Sequence, residues 1–346
     1  MGLPNVGKST IFNALTRGGA KVDKYPFTTI DPNRGKVAVP DERLEKLKDF
    51  LGVDSFIPCE IEFVDIAGLI KGASKGEGLG NQFLAHIRDV DLILHVIRGF
   101  PSPDVPHPSP ELNPREDVEI VNLELLLSDL EIAEKILKKL SGKDGEKKRE
   151  LITKIKEALE KGIPLRNLNL KEEEVKEISG YGFITLKPQA YLLNLGEGEV
   201  PSPIKEVREI LSGEKVLEVY GKLEEELSLL SPEEREEFRK EWGIEEKGLE
   251  KVIRVCYDML SLITFYTMVR GKLRAWELEK GKTILAAARK IHSDMEKGFI
   301  KGEVIPVEEL LKFEDFHTAK EKGAVKIVGR DYPVQDGDII FIHFRP

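Results

Sequence analysis

Residues 2–9 read Gly-Leu-Pro-Asn-Val-Gly-Lys-Ser, the spacing G-x-x-x-x-G-K-[ST]. That pattern is a phosphate-binding loop: its backbone N–H groups cradle the α- and β-phosphates of a nucleotide. Lys8 reaches the β- and γ-oxygens, and the Ser9 hydroxyl is placed to ligate Mg²⁺. A helix over Ser9–Thr16 would add its positive end. The expected nucleotide contacts are therefore Asn5, Val6, Gly7, Lys8, Ser9 and Thr10. Downstream, the β-like run Glu60–Val64 ends at Asp65-Ile66-Ala67-Gly68. In this D-x-x-G, Asp65 would reach the metal through water and the Gly68 N–H would sense the γ-phosphate. Gly72, Gly76, Gly78 and Gly80 follow and suit a segment that switches. Between the two motifs, Tyr25–Asn33 carries two threonines. Thr29, in preference to Thr28, is expected to close over the metal and the γ-phosphate.

A base-reading position comes later. The apolar run Gln189–Leu195 ends in Asn194-Leu195-Gly196-Glu197. A guanine reader has N-K-x-D here, its Asp accepting from guanine N1–H and the exocyclic amine. In this chain Leu195 replaces the Lys and the longer Glu197 replaces the Asp. Asn194 can still pair with the N7 and N6 edge of adenine, the edge chemistry Asn uses elsewhere. The pattern argues against strong guanine selectivity and permits adenine.

These residues need a scaffold, and the rest of the chain outlines one. A P-loop normally follows a buried strand near the middle of a parallel sheet, yet only Met1 precedes it here. The chain therefore reads as shortened at its N-terminus by a strand of about five or six residues. Asp91–Ile97 and Gln189–Leu195 read as fully buried parallel strands. Phe100–Pro114 is dense in proline and must be extended or turned. Leu123, Leu126, Leu130, Ala133, Leu137 and Leu140 then repeat at heptad spacing, and Ile152, Ile155 and Leu159 form a second stripe. Two helices joined by a polar turn predict an antiparallel hairpin, read as a projecting arm. Beyond residue 270, strands at Arg274–Leu278, Ala324–Val328 and Ile339–Phe344 surround a helix at Thr283–His292, which suggests a β-grasp.

Composition narrows the class. With 346 residues there is room for two or three domains. No apolar run spans a bilayer, and no signal peptide is evident. Cys59 and Cys256 are isolated and point to a reducing cytoplasm. Net charge is −9, so the whole chain is no general nucleic-acid binder, although a local basic patch could still bind RNA.

Taken together, Gly2–Thr10, Tyr25–Asn33, Asp65–Gly80, Asn194–Glu197, Ile291–Ile300 and Asp336–Phe344 resemble the YchF family, the Obg-like ATPases. The resemblance implies an α/β fold. A P-loop nucleotidase with a mostly parallel sheet (1–112 and 180–269) would be interrupted by an inserted antiparallel helical hairpin (113–179). A C-terminal β-grasp, or TGS, domain (270–346) would follow. It implies Mg²⁺-dependent hydrolysis of ATP in preference to GTP, a cytoplasmic location, and partnership with the large ribosomal subunit, with rRNA or tRNA as contacts. Two departures stand out: the absent first strand, and Tyr220-Gly221 where the family shows small residues in its guanine loop.

The attacking water has no obvious handler. After D-x-x-G a Ras-type enzyme places Gln, and this chain has Leu69, which cannot orient water. His86 and His107 are the candidates, and the resemblance favours His107; His95 lies in a buried strand and reads as a core residue. Asn5 raises the alternative of a K⁺ ion held at the P-loop. Rival readings are an Obg-type GTPase, and a nucleotide-dependent scaffold whose hydrolysis is incidental.

Overall fold

In the computed structural model the described residues are 1–17, 22–23, 32–68, 72, 79–101, 111–140, 145–242, 244, 247–269 and 271–345. Thr29, Leu69 and His107 lie outside them. The chain divides into two compact units: Met1–Gly35 with Phe63–Leu249, and Lys36–Glu62 with Glu250–Pro346.

Twelve strands are described. They are β1 (Val22–Asp23), β2 (Asn33–Ala38), β3 (Phe56–Ile57), β4 (Glu60–Asp65), β5 (Ile93–Gly99), β6 (Gln189–Leu195), β7 (Lys215–Val219), β8 (Leu262–Val269), β9 (Lys272–Glu279), β10 (Phe299–Pro306), β11 (Lys326–Val328) and β12 (Asp338–Phe344). In the first unit β5, β6 and β7 form a parallel sheet with β6 central, in register from Ile93↔Gln189 to Gly99↔Leu195. Every residue of β6 is buried, as expected of an apolar strand covered on both faces. β1, β2 and β4 make a second three-stranded sheet. Met1 lies along β5: its ammonium donates to Leu94 O, and its carbonyl accepts from Val96 N. His95 on β5 is 1% exposed, and burial pushes its pKa down to about 3, so it is a neutral core residue.

The helix Pro114–Lys139 is capped by Asn113, whose side chain accepts from Glu116 N, and carries Pro at its first position. Most of the heptad seam holds, since Leu126, Leu130, Ala133 and Leu137 pack in the hairpin core against Ile152, Ile155 and Leu159; its first member does not. Leu123 is 52% exposed. The buried face holds Asp117, Val118, Val121, Glu124, Leu125, Ser128 and Asp129. Val118 packs with Ile97, Tyr191 and Leu193 of the sheet. Asp129, fully buried, accepts from the Ile184 and Thr185 amides at 2.8 and 2.7 Å. Asp129 thus holds the segment before β6, and Asn122 ties the helix to β6 itself, donating to Tyr191 Oη and accepting from Gln189 Nε2; an apolar repeat reveals neither. The hairpin has its own core further along, where Ala133 meets Leu151, Ile152, Ile155 and Leu159 of the partner helix Glu146–Glu160. Leu165, Ile178 and Phe183 complete it.

In the second unit a six-stranded sheet has the order β11-β10-β12-β8-β9-β3. β8 pairs antiparallel with β9, β12 lies parallel to β8, and β10 is antiparallel to both β12 and β11. With the helix Ile284–Ile291 packed on Phe265, Phe299, Val304 and Ile340, this is β-grasp topology. The expected boundary at 269/270 falls inside this sheet, because β8 and β9 are neighbours, so the strands of this sheet begin well before residue 270. β10 is an element that sequence reading missed. Gly302 sits in its middle because a Cβ there would lie 2.2 Å from Ile284 Cδ1; the glycine lets the helix approach the strand.

Candidate nucleotide-binding site

The loop Gly2–Ser9 leads into the helix Lys8–Arg17. Two of its residues take left-handed backbone: Asn5 at φ 61° and Gly7 at φ 94°. Asn tolerates that conformation and Gly adopts it freely. Gly7 has a second constraint, since a Cβ there would fall 2.1 Å from Asn194 Nδ2. Lys8 Nζ donates to Leu3 O at 2.7 Å, folding the side chain back over the loop. Burial lowers the Lys8 pKa, and nearby Asp65 opposes that shift.

Two of the three residues expected at the metal lie side by side. Ser9 Oγ donates to Asp65 Oδ2 at 2.8 Å, across 56 residues of sequence. A hydroxyl and a carboxylate side by side are hard oxygen donors. They suit Mg²⁺, which takes one or two protein oxygens and completes its shell with phosphate and water. No cluster of three or more His, Cys, Asp or Glu suited to a metal occurs among the described residues. Thr29, the third expected ligand, lies outside them. Gly68 packs on the P-loop so closely that a Cβ would sit 2.9 Å from Pro4 N and Cα. The end of β4 and the P-loop thus form one surface, with the Gly68 backbone beside it. Val6 is fully buried and Thr10 half-buried, so the Val6 side chain holds the loop from below.

The base-reading segment needs correction. Asn194 is 4% exposed and its side chain is already committed. Nδ2 donates to Val6 O at 3.0 Å, while Oδ1 accepts from Gly221 N at 2.9 Å. It ties the P-loop to the Tyr220-Gly221 loop instead of presenting its amide edge to adenine. Leu195 is 4% exposed and packs with Ile97, Ile204 and Val207, so its side chain belongs to the core. Glu197 is exposed. Two neighbours went unnoticed in the sequence. Phe100 abuts the segment: a Cβ on Gly196 would lie 2.8 Å from Phe100 Cβ. The buried Arg98 braces it, its guanidinium 4.8 Å from the ring centroid and its Nε donating to Phe100 O. A strand-end aromatic is the only signal that could have marked it. A third unnoticed contact joins Gly72 N to Glu124 Oε1 at 2.6 Å, linking the glycine-rich segment to the buried face of the long helix. His86 lies half-buried on the helix Leu79–Arg88.

Comparison with known proteins agrees with this geometry. Residues 1–137 match the family model described as "50S ribosome-binding GTPase". Residues 262–345 match YchF-GTPase_C, described as a protein of unknown function. The chain is 44% identical over 358 residues to the ribosome-binding ATPase YchF of Bacillus subtilis (strain 168), covering 100% of this chain and 97% of that protein. The chain belongs to the YchF family. The protein of the same description from Haemophilus influenzae is 45% identical over 355 residues, with 100% and 97% coverage. The solved structure of the Schizosaccharomyces pombe YchF GTPase superposes with a TM-score of 0.87 at 33% identity, over 99% of this chain and 96% of that one. The YchF resemblance and the P-loop α/β fold expected from the sequence both hold.

Proposed function

We propose that this YchF-family chain is a Mg²⁺-dependent ATPase switch that binds the ribosome through its large subunit and works in the cytoplasm. The observation that carries the hydrolase reading is the meeting of Ser9, Asp65, Lys8 and Gly68 on one P-loop surface. The ribosome reading comes from the relatives' descriptions. In the second unit, the β-grasp sheet is read as a TGS domain.

The chain's residues divide the work. Amides of Asn5–Thr10 hold the phosphates, and Lys8 leaves Leu3 O to meet the β- and γ-oxygens. Ser9 and Asp65, with Thr29, would hold Mg²⁺, which would supply positive charge against the phosphates. The Gly68 N–H would donate to a γ-oxygen, and the bond from Gly72 to Glu124 would carry any shift of that segment to the long helix. His107 accepts one hydrogen bond from the attacking water. A K⁺ ion beside Asn5 would stand in for an arginine finger.

The names of the relatives differ on the nucleotide, ATPase in the bacterial proteins and GTPase in the yeast structure. A GTPase is therefore the second reading. What supports ATP is the lack of any Asp or Lys at 195–197 to read guanine, with Leu195 turned into the core. Side-by-side titration of the purified chain is expected to give a lower Kd for ATP than for GTP. A tenfold preference for GTP, about 1.4 kcal/mol, would reverse the assignment. Glu197→Asp, at an exposed position, should move the preference toward GTP.

A further inference from the structure

The chain is acidic overall, yet residues 135–156 hold nine Lys and Arg against three Asp and Glu. Its described residues, 135–140 and 145–156, belong to the adjoining ends of the two hairpin helices. Some of its charge is spent locally: Lys135 pairs with Glu131, Lys156 with Glu160 and Lys154 with Glu174. Arg149 donates to the Leu140 carbonyl and closes the end of the hairpin. Lys138, Lys139 and Lys147 are exposed and have no partner among the described residues. Lys139, with the paired Lys135, borders an apolar slot of about 290 Å³ lined by Ile132, Ile136, Leu140 and Tyr181. The Lys148 ammonium stands 4.9 Å from the Tyr181 ring centroid.

One free ammonium at an aromatic slot, Lys139, with Lys138 and Lys147 exposed at the same end of the hairpin helices, offers what single-stranded RNA demands: cations for the phosphates and an apolar surface for an unstacked base. An acidic protein patch would use the lysines but leave the slot idle. We propose that this end of the hairpin is an RNA-docking surface, with phosphates on Lys138, Lys139 and Lys147 and one base against Tyr181. This rests on the ribosome reading only in naming RNA, and not a ribosomal protein, as what the hairpin meets.

The test uses the full chain and a fluorescein-labelled oligouridylate of about twelve nucleotides, with anisotropy followed across a salt series. The Lys138→Gln, Lys139→Gln, Lys147→Gln triple variant should bind at least about tenfold more weakly. Its log K against log salt slope should be shallower by about two, given roughly 0.7 per phosphate contact. Tyr181→Ala should lose about tenfold with the slope unchanged, and Tyr181→Phe should restore most of it. Basal ATP hydrolysis should be the same in all of them, which also reports folding. Unchanged RNA affinity in the triple variant, or no binding by the wild-type chain, overturns the proposal. So does equal competition by polyglutamate together with a silent Tyr181→Ala, which would mark a protein-docking face. Ribosome sedimentation of the wild type separates the two ideas: a chain that binds the oligomer but not ribosomes contradicts the ribosome reading and leaves this one standing.

Discussion

Lys8→Ala is expected to abolish ATP hydrolysis, with kcat/KM down by at least about 10³-fold, the upper end of what one lost preorganised donor costs. In the proposed mechanism the ammonium leaves Leu3 O to meet the β- and γ-oxygens. Its Nζ partner is Leu3 O within the same loop, so no core contact is lost with it. Burial lowers its pKa in the absence of phosphate, so removing it relieves a strained charge and should leave the fold intact. Far-UV circular dichroism and thermal melts should therefore overlay the wild type. Turnover at the wild-type rate would take the P-loop out of the mechanism.

His107→Ala is expected to slow hydrolysis by about 10²-fold or more, within the range for a positioned general-base group, while ATP affinity stays nearly constant. The reasoning is one of need. Leu69 occupies the position after D-x-x-G and has no polar atom with which to orient water. His86→Ala is the companion experiment. A normal rate in His107→Ala with a slow His86→Ala would move the role to the helix Leu79–Arg88. Normal rates in both would hand it to the backbone, or to K⁺ at Asn5.

The sequence was most readable where one pressure dominates. β6 needed only its unbroken apolar run, because both its faces are covered. The P-loop and D-x-x-G were readable because phosphate chemistry admits few substitutes, and Ser9 and Asp65 do meet. The reading failed where a residue serves two elements at once. Asn194 offered the right amide for a base, but its capacity is used between Val6 and Gly221, partners 188 and 27 residues away. No local pattern encodes that bridge. The helix Pro114–Lys139 was legible only in part: Leu126, Leu130, Ala133 and Leu137 do form the hairpin seam, while the buried Asp117, Glu124, Ser128 and Asp129 of the same helix follow no apolar repeat. Buried carboxylates are counter to the apolar rule and become sensible only once the Ile184, Thr185 and Gly72 amides that satisfy them are placed. β10 escaped because Gly302 and Pro306 break a strand pattern, and the need for that glycine lies in the packing helix.

The central claim is that one chain couples ATP turnover to the ribosome, and one measurement bears on it most directly. Purified chain is spun through a sucrose cushion with 70S ribosomes and separated subunits, and ATP hydrolysis is followed in the same mixtures. The account predicts co-sedimentation with the large subunit and with 70S ribosomes, and an ATPase rate that changes when they are present. A chain that stays in the supernatant and hydrolyses ATP at one rate with or without ribosomes would contradict it.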